Sequence, residues 1–104
     1  MTGLPFDDEY APLFSLGQVA ELLEVQQAFL RRLDQHAVVC PSRSSGGQRR
    51  YSRHDILRVQ YVVRLTGEGM TLAAVRRILE LEQEIAELRQ ELATVRAQSR
   101  QATP

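Results

Sequence analysis

Apolar positions recur at helical spacing in several stretches of the chain, and a residue that favours a helix start precedes most of them. The first predicted helix covers 16–23 after the N-cap Ser15, and the second covers 26–35. Ser52 opens a third helix that runs to about residue 65, and Thr71 opens a fourth. Two short helices joined by a few residues predict a helix-turn-helix at the start of the chain.

The segment between the second and third helices predicts a β-hairpin. β-branched residues favour a first strand at about 38–40, and a second short strand is predicted at about 48–51. The glycine pair Gly46 and Gly47 lies between them and favours a turn near 45–47.

From residue 78 onward the apolar positions alternate at three and four residues, which is the heptad pattern of a coiled coil. These positions are Ile78, Leu81, Ile85, Leu88, Leu92 and Val95. We expect the stripe to mediate dimerisation, because little else in the segment is apolar and nothing remains in the chain to cover it. The pattern spans only about two and a half heptads, so an amphipathic helix packed on its own domain is the alternative.

Together these elements predict a mostly α fold, a winged helix-turn-helix with a small β-hairpin wing and a C-terminal dimerisation coiled-coil helix. We divide the chain into an acidic, flexible N-terminal arm at 1–13, a winged domain at 14–77, and a coiled-coil helix with a short tail at 78–104. The side chains expected to attach the arm to the body are Phe6, Tyr10 and Leu13.

The chain has no net charge, yet its charges are segregated. All thirteen basic residues are arginines, and ten of them lie in 31–77 beside only three acids, whereas 1–30 holds five acids and no base. A basic segment is the electrostatic footprint of a surface that binds phosphate groups, and a solvated arginine-rich surface is the alternative.

A winged domain presents its second helix to the major groove and its hairpin tip to the flanking backbone or minor groove. Candidates on the second helix for reading base edges or neighbouring phosphates are Gln26, Gln27, Arg31 and Arg32. Candidates on the hairpin for phosphate contacts are Arg49, Arg50 and Tyr51.

Other chemistry finds little support in the sequence. The single Cys40 excludes an internal disulfide and a multi-cysteine metal site, and we expect it to be a small buried residue at the hairpin root. We expect no metal, no other cofactor and no enzymatic activity, because no nucleophile–base pair or NTPase phosphate loop is present. No apolar run approaches the ~20 residues of a membrane helix and no signal-peptide pattern is seen, which favours the cytoplasm and the nucleoid.

Four stretches of the chain resemble, in order, the motifs of the MerR family of bacterial regulators. FSLGQVAELLEV is similar to the opening of that family, and FLRRLD is similar to its recognition-helix pattern Thr-Leu-Arg-x-Tyr-Asp/Glu. PSRSSGGQRRYSRHDILRV resembles the wing with its following helix, and GEGMTLAAVRRILELE resembles the next helix. The direct run from RILELE into QEIAELRQEL resembles the HspR-type heat-shock repressor branch.

The resemblance implies a MerR-like homodimer that binds inverted repeats and distorts promoter DNA. It implies that Arg31 is the recognition-helix arginine, and that Arg43, Arg49 and Tyr51 contact the DNA backbone from the wing. The leading prediction is a sequence-specific transcription regulator, a repressor, whose partners are double-stranded DNA, a second copy of itself and, further, a chaperone or another regulator.

Departures from the family pattern leave other functions open. Phe29 and Leu33 stand where the family usually has threonine and tyrosine, and Gln48 stands where an aromatic is common. One alternative is therefore a protein-interaction module that docks on another regulator, a chaperone or a sigma factor. Another is a nucleoid or recombination accessory protein that bends DNA with little specificity.

The orientation of the paired helices is also open. With Ile78 at heptad position a, the acids Glu84 and Glu91 take position g, and the bases Arg89 and Arg96 take position e. These charges attract in a parallel dimer, whereas the resemblance implies antiparallel pairing.

Overall fold

Four helices and three short strands make up residues 8–102, the part of the chain that this computed structural model describes. In chain order the elements are β1 (Phe14–Ser15), α1 (Leu16–Leu23), α2 (Gln27–Gln35), β2 (Ser42–Arg43), β3 (Arg49–Tyr51), α3 (Arg53–Gly67) and α4 (Leu72–Ala102). The predicted fold class, a mostly α winged helix-turn-helix with a long C-terminal helix, is confirmed. No helix in this part of the chain combines the length and apolar character that a bilayer-spanning segment requires.

The helix starts lie where the capping residues predict them. The Ser15 hydroxyl accepts a hydrogen bond from the Gln18 amide, and the Gln18 side chain accepts one from the Ser15 amide. Ser52 and Asp55 form the same reciprocal pair at the start of α3, at 2.9 and 3.0 Å. Each pair occupies N–H groups that the first helical turn leaves without a backbone partner.

The first predicted strand, at 38–40, is wrong. Val38 and Val39 are buried, and both of their amides donate to the Leu33 carbonyl at the end of α2. Ala37 reverses the chain there with a positive φ of 55°. The β-branched pair therefore closes the helix and fills the core, and the strand forms later, at Ser42–Arg43.

The sheet contains one strand more than the sequence predicts. Its order is β1-β3-β2 with both pairings antiparallel, and Phe14 faces Tyr51 across the first of them. A two-residue strand carries no alternating pattern, so periodicity could not reveal it. Its effect is to tie the wing to the residues that directly precede α1.

One hydrophobic core joins all four helices and the sheet. Its buried members are Val19, Ala20, Leu30, Leu33, Val38, Val39, Tyr51, Ile56, Val59, Val62, Leu65, Val75 and Leu79. The last helix contributes only Val75 and Leu79 to these, so α4 leaves the body after its first turns. The remaining residues, 80–102, extend for about 34 Å at 1.5 Å per residue.

The described part of the N-terminal arm, 8–13, contacts the start of α3. The His54 amide donates to the Glu9 carbonyl at 2.9 Å, and the Tyr10 and His54 rings lie 4.8 Å apart. Leu13 is exposed, and the predicted attachment through Phe6 lies outside the described residues.

We expect Ser52→Ala to lower the free energy of unfolding by about 1 kcal/mol, because the cap of α3 loses its acceptor. Urea denaturation at one fixed protein concentration measures this. Ser45→Ala, which alters an exposed serine in the wing turn, is the matched control and leaves the midpoint in place. Equal midpoints for the two variants would contradict the capping role.

Candidate nucleic-acid interface

Helix α2 is amphipathic, with an apolar side and a polar side. Leu30 and Leu33 are 1 % exposed and pack in the core, as their spacing predicts, and Phe29 packs partly against it. The predicted contact residues of this helix are all exposed, namely Gln26, Gln27, Arg31 and Arg32. Gln27 accepts a hydrogen bond from the Arg31 guanidinium at 3.2 Å, so the two polar groups orient one another.

The tip of the wing is a tight, hydrogen-bonded turn. The Ser44 amide donates to the Gln48 carbonyl at 2.7 Å, and the Gly47 amide donates to the Ser44 carbonyl at 2.9 Å. Gly47 has a φ of 82°, which glycine adopts without a steric cost. The turn holds the two wing strands at a defined separation.

A single carboxylate joins helix α2 to the wing. Oδ2 of Asp34, in the last turn of α2, accepts from Arg49 Nε at 2.7 Å and from Arg43 Nη2 at 3.0 Å. Arg43 also donates to the Gly47 carbonyl at 3.1 Å, which brings the turn into the same network. We call Asp34, Arg43 and Arg49 the wing clamp.

An arginine-lined groove of about 390 Å³ lies between α2, the wing and the start of α1. Its lining residues are Ser15, Leu16, Gly17, Arg31, Arg43, Gly47, Gln48, Arg49 and Arg50. Four of these are arginines and none is acidic, and the N-terminal end of α1 adds partial positive charge. The groove therefore favours an anion with several oxygen acceptors, such as a phosphodiester.

The structure divides the predicted contact residues between two surfaces. Arg31 and the three wing arginines share the arginine-lined groove, and Gln27 is bonded to Arg31 beside it. Gln26 and Arg32 instead border a second groove of about 440 Å³ between α2 and α3, whose other lining includes Val25, Phe29 and Val63. A mainly apolar groove has no preference for phosphate.

The prediction that Tyr51 contacts DNA is wrong. Its side chain is 1 % exposed and belongs to the core, and no group in residues 8–102 hydrogen-bonds to its hydroxyl. Burial raises the pKa of Tyr51 to about 12, because the phenolate is poorly stabilised there. The ring packs in the core on the inner side of β3 and is not accessible at the surface of the wing.

Cys40 is exposed, so the expectation of a buried residue is also wrong. Its thiol lies 3.9 Å from the Asp34 carbonyl. Partial burial of the sulfur, followed by the charge of Asp34, raises the pKa of the thiol, which keeps it protonated and slow to react. In the range 8–102, no three histidine, cysteine or acidic side chains come together as a metal site.

The predicted dimerisation positions differ in their exposure. Ile78 is partly buried against the core of its own chain, so only part of its side chain is available to a second helix. The other five positions are 40–58 % exposed, and we call them the α4 stripe: Leu81, Ile85, Leu88, Leu92 and Val95.

The sequence matches a family model described as "MerR HTH family regulatory protein" over residues 14–82. It is 37 % identical over 79 residues to "Putative heat shock protein HspR" of Streptomyces coelicolor, which covers 75 % of this chain and 52 % of that protein. It is 27 % identical over 77 residues to "HTH-type transcriptional regulator GlnR" of Bacillus anthracis, which covers 74 % and 60 %. The chain thus spans between half and two thirds of the length of these relatives.

Solved structures share the fold at lower identity. HiNmlR, described as a MerR family regulator lacking the sensor domain and bound to promoter DNA, superposes with a TM-score of 0.62 at 20 % identity, covering 85 % of this chain and 77 % of that one. MtaN, the N-terminus of the Bacillus subtilis multidrug transporter activator, gives 0.61 at 21 % identity, covering 83 % and 92 %. At these identities the likeness is one of fold.

We expect Tyr51→Phe to leave the free energy of unfolding near pH 7 unchanged or raised, because the lost hydroxyl has no partner in the described structure. Tyr51→Ala is the contrasting variant and costs about 3–5 kcal/mol by opening a cavity.

The wild type and Tyr51→Phe should also differ in their stability at alkaline pH. The unfolded phenol loses its proton near pH 10 and the folded one near 12, so the wild type loses stability through that range and Tyr51→Phe is spared this loss. Urea denaturation at pH 7, 10 and 11 measures both effects. A clear loss of stability in Tyr51→Phe at pH 7 would contradict an unpartnered hydroxyl.

We expect Asp34→Asn to loosen the wing while costing less than about 1 kcal/mol of global stability, because both ion pairs are partly open to solvent. Hydrogen exchange of the Ser44 and Gly47 amides is the measurement, and both should exchange faster. Glu68→Gln, which removes one exposed charge at the end of α3, is the control and leaves the wing amides unchanged.

Proposed function

The chain belongs to the MerR family of helix-turn-helix regulatory proteins, and we propose that it is a sequence-specific, DNA-binding transcription regulator. Residues 14–77 bind the DNA and 78–104 join two copies. The observation that carries the proposal is the arginine-lined groove, whose lining contains Arg31 of α2, three wing arginines and no acidic residue.

The two sides of the groove have different tasks. With α2 in the major groove, Gln27 and Arg31 approach base edges, since an arginine binds the two acceptors of guanine and a glutamine those of adenine. The wing arginines and the start of α1 then bind the flanking phosphates, which sets the position of the helix without reading sequence. Asp34 contacts no DNA in this arrangement and holds Arg43 and Arg49 in place.

The predicted DNA-contact residues outside the arginine-lined groove, and Phe29, contribute less to DNA binding. Gln26 and Arg32 border the apolar groove, so they contact neighbouring phosphates at most. Phe29, which stands where the resemblance has a threonine, is partly packed against the core and contributes no hydrogen bond to DNA.

A homodimer accounts for the α4 stripe, because five half-exposed apolar residues on a solvated helix favour association with a matching surface. The two-fold symmetry of such a dimer matches an inverted repeat in the promoter. We infer a repressor, acting at the nucleoid in the cytoplasm, which excludes transcription by occupying the promoter. A chaperone or another regulator is then the partner that adjusts its occupancy.

The test begins with selection of bound fragments from sheared DNA of the source organism, followed by titration of the enriched site at several salt concentrations. We expect an inverted repeat upstream of a few genes. Affinity should fall steeply with salt, with a slope set by the number of phosphates contacted.

Single variants assign the tasks within the groove. Arg31→Ala should cost about 1–3 kcal/mol on the enriched site and relax its sequence preference. Arg50→Ala should weaken binding to all sequences and lower the salt slope by about 1. Arg100→Ala, at the far end of α4, is the matched control and leaves both quantities unchanged.

Two outcomes would contradict the proposal. Weak binding that is independent of sequence and salt points to a protein-interaction module. Uniform coating of long DNA with steep salt dependence but no enriched repeat points to an accessory protein that binds DNA without specificity.

A further inference from the structure

The apolar groove between α2 and α3 has the size and the lining of a site for a small molecule. Its volume of about 440 Å³ lies within the range of about 300–1,000 Å³ that is usual for small-molecule pockets. Its surface is mainly apolar, and a few polar groups stand at its edge. This combination is typical of sites that hold an apolar body and fix its orientation through one polar contact.

The apolar part of the groove consists of side chains that the core covers incompletely. Val25 and Phe29 pack against the core but are only partly buried. Val63 of α3 is 39 % exposed, although the neighbouring Val62 is fully buried. The Thr66 hydroxyl donates to the carbonyls of Val62 and Val63 at 3.0 and 3.1 Å, so its hydrogen is not available to a ligand. An apolar group placed here would cover surface that now faces water.

One cation stands at the edge of this apolar surface. Arg32 is exposed, and within residues 8–102 its guanidinium takes part in no hydrogen bond or ion pair. It follows Phe29 by three residues, so the two side chains share one face of α2. No acidic residue lines the groove. The charge of the groove is therefore complementary to an anion, and a guanidinium pairs well with the two oxygens of a carboxylate.

The contrast with the arginine-lined groove narrows the chemistry of this anion. In that groove four arginines surround one space, which suits a polyanion. In the apolar groove a single guanidinium lies beside apolar side chains, so a phosphate with two charges would remain partly unpaired and would gain nothing from the lining. A monocarboxylate with an apolar body matches both parts, because its body covers the apolar surface while its oxygens pair with one guanidinium.

We propose that the apolar groove binds a small apolar monocarboxylate, with its body against Phe29 and Val63 and its carboxylate paired with Arg32. The groove borders the helix that we place in the major groove of DNA, and the ligand then competes with a neighbouring phosphate for Arg32. An occupied groove thus removes one phosphate contact from the DNA complex. The binding site stands independently of the proposed function, whereas its effect on DNA rests on that function.

Titration of the full-length chain with naphthalene-2-carboxylate, followed by NMR of the methyl groups, tests the site. We expect saturable shifts at Val25 and Val63, with a dissociation constant at or below about 1 mM for a ligand of this size. Naphthalene-2-carboxamide has the same shape without the charge. It should bind about fivefold more weakly, because its pairing with an exposed guanidinium lacks the ionic contribution.

Two pairs of variants locate the contacts. Arg32→Gln should abolish the preference for the carboxylate over the carboxamide, whereas Arg31→Gln, in the arginine-lined groove, is the matched control and retains it. Val63→Ser should weaken the binding of both probes about threefold, because apolar contact is lost. Leu57→Ser, an exposed apolar position on the same helix outside this groove, is its control. All four side chains are exposed, so the core stays intact.

Three outcomes would overturn the site. The first is the absence of saturable shifts at Val25 and Val63 with several millimolar probe. The second is loss of binding in Arg31→Gln but not in Arg32→Gln, which would place the carboxylate in the arginine-lined groove. The third is a change of the Val25 and Val63 shifts on dilution of the free protein, which would mean that a second copy covers the groove.

Titration of the enriched DNA site tests the effect of the ligand. With saturating naphthalene-2-carboxylate, compared with the carboxamide, the salt slope of DNA affinity should fall by about 1. Arg32→Gln should show the lower slope without any probe and no further effect of it. An unchanged slope with a filled groove would remove the coupling to DNA and leave the binding site standing. Absence of specific DNA binding would contradict the proposed function, and the NMR titration would still decide the site.

Discussion

The interaction on which the interface depends most is the one between Asp34 and two arginines of the wing. A β-hairpin with a two-residue and a three-residue strand is too short to hold its own position. Asp34 lies in the last turn of a helix that is anchored in the core, and it accepts from both strands through one oxygen. The two ion pairs thereby link the direction of the wing to the helix that it flanks.

That single acid also explains how four arginines share a small space. The positive charges of neighbouring guanidinium groups repel one another, and without a negative charge nearby this repulsion would push the arginine side chains apart. Asp34 neutralises part of the charge from behind the groove, while its lining contains no acid. The guanidinium groups therefore keep both a defined position and an excess of positive charge, which is what binding of a polyanion requires.

The core divides the molecule into a body that buries its own apolar residues and a helix that does not. Val75 and Leu79 are the last core members along the chain, and beyond them the apolar side chains of α4 stay about half exposed. Most helical stability in proteins comes from packing of an amphipathic face, and the apolar face of residues 80–102 has little such packing within its own chain, so we infer that this part of α4 is stabilised by a partner. In the homodimer that we propose, association of two copies and placement of two winged bodies on DNA are coupled through one continuous helix.

The sequence by itself determined the helices, their capping residues and the heptad stripe, because these follow from local hydrogen bonding and from periodicity along a single helix. It also located the basic segment and the family. Only the tertiary structure decided that Val38 and Val39 close a helix, that a two-residue strand precedes α1, and that Tyr51 is buried. It also placed Arg31 at the arginine-lined groove and Arg32 at the apolar groove between α2 and α3. It brought the Asp34 carboxylate within hydrogen-bond distance of Arg49, fifteen residues further along the chain. Each of these depends on which distant segments pack together, and no pattern of neighbouring residues contains that information.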